Sequence, residues 1–297
     1  MQPLDKIEIL SVALLEENRF LVNELRRLAG SLNLEFGWHY LLDLCWIIKN
    51  LGAVEGRQIM DAGAGIGVLQ WYLAQRGARV LSVDRNSRLN LPIRFRRRFR
   101  VMGFDNRHPQ LAPAWRALVT NLNSIGGFFP KVRYLSREVS GFLLCLPAKG
   151  QVIIYDYDLQ DLNDLPDCSL DAVVALSALE HNAPKKLGAV IAELWRLLKP
   201  GGCLLATLGA ARDEDWFHEP SQGWCYTEKT LREIFDLPSE TPSNFNRYDD
   251  LFTDLYHCAE LRDNLASFYF RSGENGMPWG IWEPKYQSVG VLKVKRF

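Results

Sequence analysis

The stretch that decides the fold is Arg57-Gln58-Ile59-Met60-Asp61-Ala62-Gly63-Ala64-Gly65-Ile66-Gly67-Val68. A short apolar run ends in an acid, three glycines follow at alternate positions, and the apolar segment Val68, Leu69, Trp71, Tyr72, Leu73 begins at once. That order reads as strand, tight turn and helix. Glycine suits the turn because the chain must reverse sharply and offer bare backbone to a ligand. The first N–H groups of the helix then point over the loop, where carboxylates and other polar groups of a small molecule are favoured.

The spacing separates this loop from others. A dinucleotide fingerprint has the pattern G-x-G-x-x-G, whereas here the pattern is G-x-G-x-G, and Val68 stands where the last glycine would be. A phosphate-binding Walker loop needs Gly-Lys-Ser/Thr, and the loop has no such lysine. The chain instead enters a second apolar run, Arg79-Val80-Leu81-Ser82-Val83-Asp84, whose terminal acid lies 17 residues after Gly67. An acid at the end of a second strand can accept both hydroxyls of a ribose.

With these residues in place, the stretch resembles the class I S-adenosylmethionine-dependent methyltransferases. Asp171-Ala-Val-Val-Ala-Leu-Ser-Ala-Leu-Glu-His181 resembles that family's fourth strand, and Leu194-Trp-Arg-Leu-Leu-Lys-Pro-Gly-Gly202 resembles the turn into its fifth. The resemblance covers roughly residues 55–85 and 150–210. It implies an α/β fold with a doubly wound, seven-stranded, mostly parallel Rossmann-like sheet, carrying N-terminal helices and helical insertions. S-adenosyl-L-methionine is the implied cofactor. The resemblance places Asp61, Gly63, Ala64, Gly65, Gly67, Asp84 and Arg85 around it. Asp158 and Leu159 are expected at the adenine, with Asp156 as a rival, and Leu176, Ser177 and Ala178 along the cofactor's other side. Glu180 and His181 are expected to face the acceptor side or brace it and are the candidate catalytic pair, with His39 and His218 as further candidates.

Composition bounds the rest. The chain has 297 residues, 47% of them hydrophobic, which suits one α/β domain with additions and a substantial core. Apolar runs such as 41–54 are interrupted by Asp43 and Lys49 and are too short to span a bilayer. No leader-like start is seen, so the expected location is cytoplasmic. Six scattered cysteines without C-x-x-C pairs read as buried thiols rather than a disulfide framework or a zinc site, and no metal is expected.

Residues 4–29 carry apolar side chains at Ile7, Leu10, Leu14, Leu21, Leu25 and Leu28, the stripe of an amphipathic helix that Gly30 would stop. A second helix is expected over 37–51. Residues 1–54 thus form a helical segment, in which His39 or Tyr40 is either core or a wall of the cofactor pocket. Residues 55–85 and 150–210 are the cofactor-binding core. Residues 86–149 are a basic helical insertion, and 211–297 complete the fold with an acceptor-side cap.

The insertion holds twelve Lys or Arg against Asp105 and Glu138, although the whole chain has 35 of each sign. Three helices are expected in it: one carrying Leu91, Phe95, Phe99 and Met102, one over 112–123 and one over 134–146. Arg94–Arg100 have two readings. They are a solvated helix face pairing with acids elsewhere, or a surface for an anionic acceptor or a peripheral membrane contact. Nucleic acid is disfavoured by the zero net charge and the absence of a stacking motif. Beyond residue 210 a helix capped by Thr227 is expected, then a short strand over 235–238, and a last antiparallel edge strand over 288–294.

Methyl transfer to a small-molecule or carrier-bound acceptor is the expected function. Two other classes remain in view: aminopropyl transfer on the same fold, and a non-catalytic partner that has kept the fold. Intact glycines and Asp84 favour an enzyme over a scaffold.

Overall fold

The computed structural model describes residues 5–104, 110–143 and 146–296. Its strands and helices run β1 Lys6–Ile9, α1 Ala13–Glu17, α2 Arg19–Leu32, α3 Tyr40–Leu51, β2 Gln58–Ala62, α4 Val68–Gln75, β3 Arg79–Asp84, α5 Ile93–Arg98 and β4 Met102–Gly103. They continue as α6 Ala114–Ser124, α7 Phe128–Leu143, β5 Gln151–Asp156, β6 Leu170–Leu176, α8 Pro184–Leu197, β7 Leu198–Ala210, β8 Trp216–His218 and β9 Gly223–Tyr226. The last are α9 Glu228–Ile234, α10 Tyr248–Tyr256, α11 Ala259–Arg262 and β10 Gln287–Val294.

All the strands join one sheet in the order β1-β10-β7-β6-β2-β3-β5-β4, with β9 on the end of β7 and β8 on β9. The central pairs are parallel, and β10 runs antiparallel to β7. Helices cover both faces, so the central strands are buried on both sides and read as unbroken apolar runs. Successive residues feed opposite cores: Ile59, Val80 and Val174 join one cluster with α2, α3 and α4, while Met60, Leu81 and Val173 join the other with α8. From β2 the chain runs outward through β3 to β5, then returns to place β6 on the other side of β2. The order therefore reverses between β2 and β6, and ligands of open α/β sheets bind at the carboxyl ends of strands at such a reversal.

Several expectations are corrected. Residues 4–29 are not one helix: Lys6-Ile7-Glu8-Ile9 forms β1, antiparallel to β10, with Ile7 and Ile9 buried. Spacings of two and of three or four both fit Ile7, and the waiting edge of β10 selects the strand. Helix α2 runs through Gly30 and ends at Asn33, whose φ is 53°. Because β1 covers it, β10 is not an edge. In the insertion α5 is only six residues long, and Met102 belongs to β4, paired with β5. No strand forms over 235–238. The sheet is extended instead by β9, ahead of α9 and parallel to β7. The sheet has ten strands among the described residues rather than seven. Cys168 is exposed rather than buried, and Cys145 and Asp105 lie outside the described residues. Thr227 does cap α9, its hydroxyl accepting from the Thr230 N–H.

Candidate active site

The glycine loop leaves β2 and enters α4. Gly63 has φ +74° and Gly65 has φ +48°, a region that disfavours side chains. A Cβ on Gly63 would lie 2.4 Å from that of Ala178, so the loop following β2 packs directly on the loop following β6. The backbone N–H groups of Gly63 and Ala64 donate to the Val83 carbonyl at 2.9 and 3.0 Å, which ties the loop to β3.

Asp84 ends β3 beside the loop. Its Oδ2 accepts the Gly65 N–H at 2.8 Å and its Oδ1 the Asn86 N–H at 2.7 Å, so the carboxylate is fixed over the glycines. Two polar residues brace the loop from beneath, and neither was expected from the sequence. Gln70 is fully buried in α4. It donates to the carbonyls of Ala64, Gly65 and Gly67 at 3.2–3.3 Å and accepts the Ser82 hydroxyl at 2.7 Å. Arg88 is buried against Asp156, at 2.8 Å, and donates to the Tyr155 carbonyl at 3.1 Å and the Gly65 carbonyl at 3.3 Å. A glutamine inside an apolar helix was the available signal for the first; nothing local marked the second.

Asp61, at the end of β2, is buried between these groups. Burial pushes its carboxyl up to about 7; Arg88 opposes this and Asp84 adds to it. Asp156 is held by the side chain and backbone N–H of Arg88, whereas Asp158 is exposed and holds only the Gln160 N–H at 2.9 Å.

These parts enclose a cavity of about 540 Å³ at the sheet reversal. Asp61, Gly63, Ala64, Gly65, Gly67, Asp84, Arg85, Asp158, Leu159, Leu176, Ser177 and Ala178 all line it. Asp156 is not among its walls. His181 also lines it, while Glu180 does not.

Glu180 lines a second cavity, of about 510 Å³, with His39, His181, Trp38, Trp224, Tyr269 and Tyr286 among its walls. The two cavities share Glu35, Tyr40, Ser177 and His181. Ser177 adopts φ 45° where β6 ends, and its hydroxyl donates to Glu180 Oε1. His181 is exposed, with Nδ1 2.8 Å from the Gln222 carbonyl. A carbonyl can only accept, so Nδ1 carries a proton. His218 contacts Ser221 and does not line either cavity.

Among the described residues, the basic insertion contributes no wall to either cavity beyond Asn86, which lies next to Arg85. Arg94 pairs with the buried Glu138, Arg96 donates to the carbonyls of Leu91 and Leu89 at 2.8 and 3.2 Å, and Arg98 reaches Ser31 at 2.9 Å. These three guanidiniums bind the protein itself. Among the described residues no cluster of His, Cys, Asp and Glu could hold a metal ion, and no helix is long and apolar enough to cross a membrane.

Comparison with known proteins gives three kinds of match. A methyltransferase-domain family model matches residues 140–206. A ubiquinone biosynthesis O-methyltransferase of Leptothrix cholodnii is 44% identical over 43 residues, 14% of this chain, and the chain spans only 18% of that relative's length. Among solved structures, a geranyl diphosphate C-methyltransferase from Streptomyces coelicolor is 15% identical, with 100% of this chain and 92% of that one covered and a TM-score of 0.47. The 1,6-didemethyltoxoflavin-N1-methyltransferase of Burkholderia thailandensis is 15% identical over 96% and 89% of the two chains, with a TM-score of 0.45. The methyltransferase-domain match runs from the end of α7 through β5, β6 and α8 into β7, within the sheet whose reversal carries the glycine loop.

Proposed function

We propose that the protein transfers the methyl group of S-adenosyl-L-methionine to a small-molecule acceptor. The observation that carries this reading is the pair of joined cavities. One is walled by the glycine loop and Asp84, the other by aromatic rings, and they meet at Glu35, Tyr40, Ser177 and His181. In this reading the cofactor fills the first cavity. Asp84 accepts the ribose hydroxyls, Asp158 and the Leu159 backbone meet the adenine, and Ser177 and Ala178 border the sulfonium end. The acceptor fills the second cavity, with His181 and Glu180 beside the point of transfer.

A sulfonium methyl is already electrophilic, so the protein's part is to align an acceptor atom with the S–CH3 bond and exclude water. The four shared residues are where that alignment would occur. Aminopropyl transfer on the same fold would leave a different product from the same cofactor, and mass analysis of the product separates the two.

Calorimetry tests the cofactor half. Binding of S-adenosylmethionine and S-adenosylhomocysteine is expected in the micromolar range, about −7 to −8 kcal/mol. Asp84→Ala is expected to weaken it by about 1.5–3 kcal/mol through lost hydrogen bonds to a charged group. No heat with either compound, or undiminished affinity in Asp84→Ala, rejects the assignment.

A further inference from the structure

Helix α3 starts at Tyr40, directly after His39, and Asp43 stands one turn on, at the i+4 position. His39 Nδ1 lies 2.7 Å from Asp43 Oδ2, and the Ser288 hydroxyl of β10 donates to Oδ1. Asp43 is fully buried and His39 is 3% exposed. The carboxylate accepts, so Nδ1 carries the proton and Nε2 is left with its lone pair. The imidazole is clamped edge-on between Trp38 at 4.6 Å and Tyr286 at 5.8 Å, and it forms part of the wall of the aromatic cavity.

A second observation lies in the same cavity. Glu180 is 7% exposed; its Oε1 takes the Ser177 hydroxyl, but Oε2 has no hydrogen-bond partner in the protein. Trp38 Nε1 is likewise buried without one. Buried polar atoms are almost always satisfied, so the unpartnered Oε2 of a residue that lines the cavity calls for a donor. The acids of the wall are Glu35, Glu180, whose carboxyl burial pushes up, and Glu274, with no Lys or Arg among the described residues. A phosphorylated or carboxylated acceptor would meet only like charge there.

Resting on the methyl-transfer reading above, we propose that the aromatic cavity takes a flat, uncharged acceptor carrying a hydroxyl group, with His39 as general base and Glu180 Oε2 receiving a second donor. The acceptor oxygen attacks the sulfonium carbon, and the C–O bond forms as the C–S bond breaks with its electron pair left on sulfur. The hydroxyl proton passes to His39 Nε2. The imidazolium so formed is stabilised by Asp43 and releases its proton to solvent after the product leaves. A buried histidine–carboxylate pair in the cavity wall suits a nucleophile with a proton to lose. The hydrogen-bond partner of the His181 ring is a neutral carbonyl rather than a carboxylate, and its charge partner is Glu180.

The groups facing His39 are Asp43 and Tyr40 on its own element, Glu180 across the cavity and Tyr286 ahead of β10, with His218 beyond Tyr286. Burial pulls the His39 imidazolium down most strongly, but Asp43 and Glu180 outweigh it and hold the group above its ordinary value. Turnover is therefore expected to rise with pH through a value above that of a free histidine.

The test uses the full chain, 7-hydroxycoumarin and 1-naphthol as neutral probes, and 7-hydroxycoumarin-3-carboxylate as the anionic one. The fluorescence of 7-hydroxycoumarin distinguishes phenol from phenolate. The bound probe is expected to show a larger phenolate fraction than free probe at the same pH, and the neutral probes should bind more tightly than the carboxylate. His39→Gln should keep probe affinity within about twofold, lose the phenolate excess, and lower turnover about 10²–10⁴-fold with little change in KM. Glu180→Gln should weaken neutral-probe binding about tenfold. Should His39→Gln not fold, Asp43→Asn, which places a neutral amide beside Nδ1 instead of the carboxylate, should reduce the phenolate excess. An equal phenolate fraction in wild type and variant, tighter binding of the carboxylate, or no binding of either neutral probe at millimolar concentration overturns the proposal. Running the fluorescence with and without S-adenosylhomocysteine keeps the outcomes apart. Absent cofactor binding sinks the transfer reading, while the proton readout still judges the His39–Asp43 pair.

Discussion

Asp61 shows how one residue of the site is tuned by what surrounds it. It is 3% exposed at the end of β2, and its ordinary value of 3.8 is pushed up to about 7, first by burial, against the pull of Arg88 and with the push of Asp84. A folded value above the unfolded one means that the protonated form is preferred in the folded state. Its contribution to stability is full below about pH 4 and is lost as pH rises through about 7. Asp61→Asn keeps the shape and removes the charge. It is therefore expected to raise the urea midpoint at about pH 8 and to leave it nearly unchanged at about pH 4. Destabilisation at the higher pH would mean that Arg88 holds Asp61 as a needed carboxylate. Asp84, across the loop, is held by two backbone N–H groups.

At the scale of elements, the basic insertion is bound to the domain by its own arginines. Arg94 of α5 clasps Glu138 of α7 with both its side chain and its backbone N–H, and its Nε reaches the last turn of α2 at Leu32, 3.1 Å away. Glu138 is fully buried, so removing Arg94 strands a charge. Arg94→Ala is expected to lower stability by about 3–5 kcal/mol, read from denaturant unfolding. The exposed Arg100 should tolerate Arg100→Ala within about 0.5 kcal/mol. Equal costs for the two would show that the ion pair does not anchor the insertion. The charge run in the sequence reads as one surface, but folding sends alternate members inward to carbonyls and to Glu138.

At the scale of the whole molecule, β1 closes a sheet that would otherwise end on β10. Its four residues pair with Val289–Leu292, and Glu8 Oε2 accepts the Trp46 indole N–H at 2.8 Å, linking the edge to α3 and thus to the His39–Asp43 pair. Deleting residues 1–10 would expose β10 as an unpaired, apolar edge of the kind that recruits other strands. The shortened protein is expected to self-associate in sedimentation velocity, while the full chain does so less at the same concentration. A monomeric shortened chain with unchanged unfolding would show that α3 alone protects that edge.

The sequence by itself determined whatever local spacing encodes. The glycine pattern fixes the turn because only glycine readily accepts the φ of positions 63 and 65, and the apolar runs of β2, β3, β5 and β6 fix a parallel sheet because strands buried on both faces have no polar side. Asp84 and Ser177 were legible because strand ends at a sheet reversal occur at predictable places in the chain. Only the tertiary structure decided the rest. Ile7 fits two periods until β10 offers an edge, and no strand follows α9, whereas β9 forms ahead of it on the end of β7 that runs beyond β6. His39, read as core or pocket wall, becomes one half of an oriented pair only when Asp43 is seen beside it and Ser288, 245 residues further along the chain than Asp43, fixes the carboxylate. Arg88 and Asp156 lie 68 residues apart in the chain. The physical reason is the same in each case: backbone conformation is set by neighbours in sequence, whereas hydrogen-bond partners and burial are set by neighbours in space.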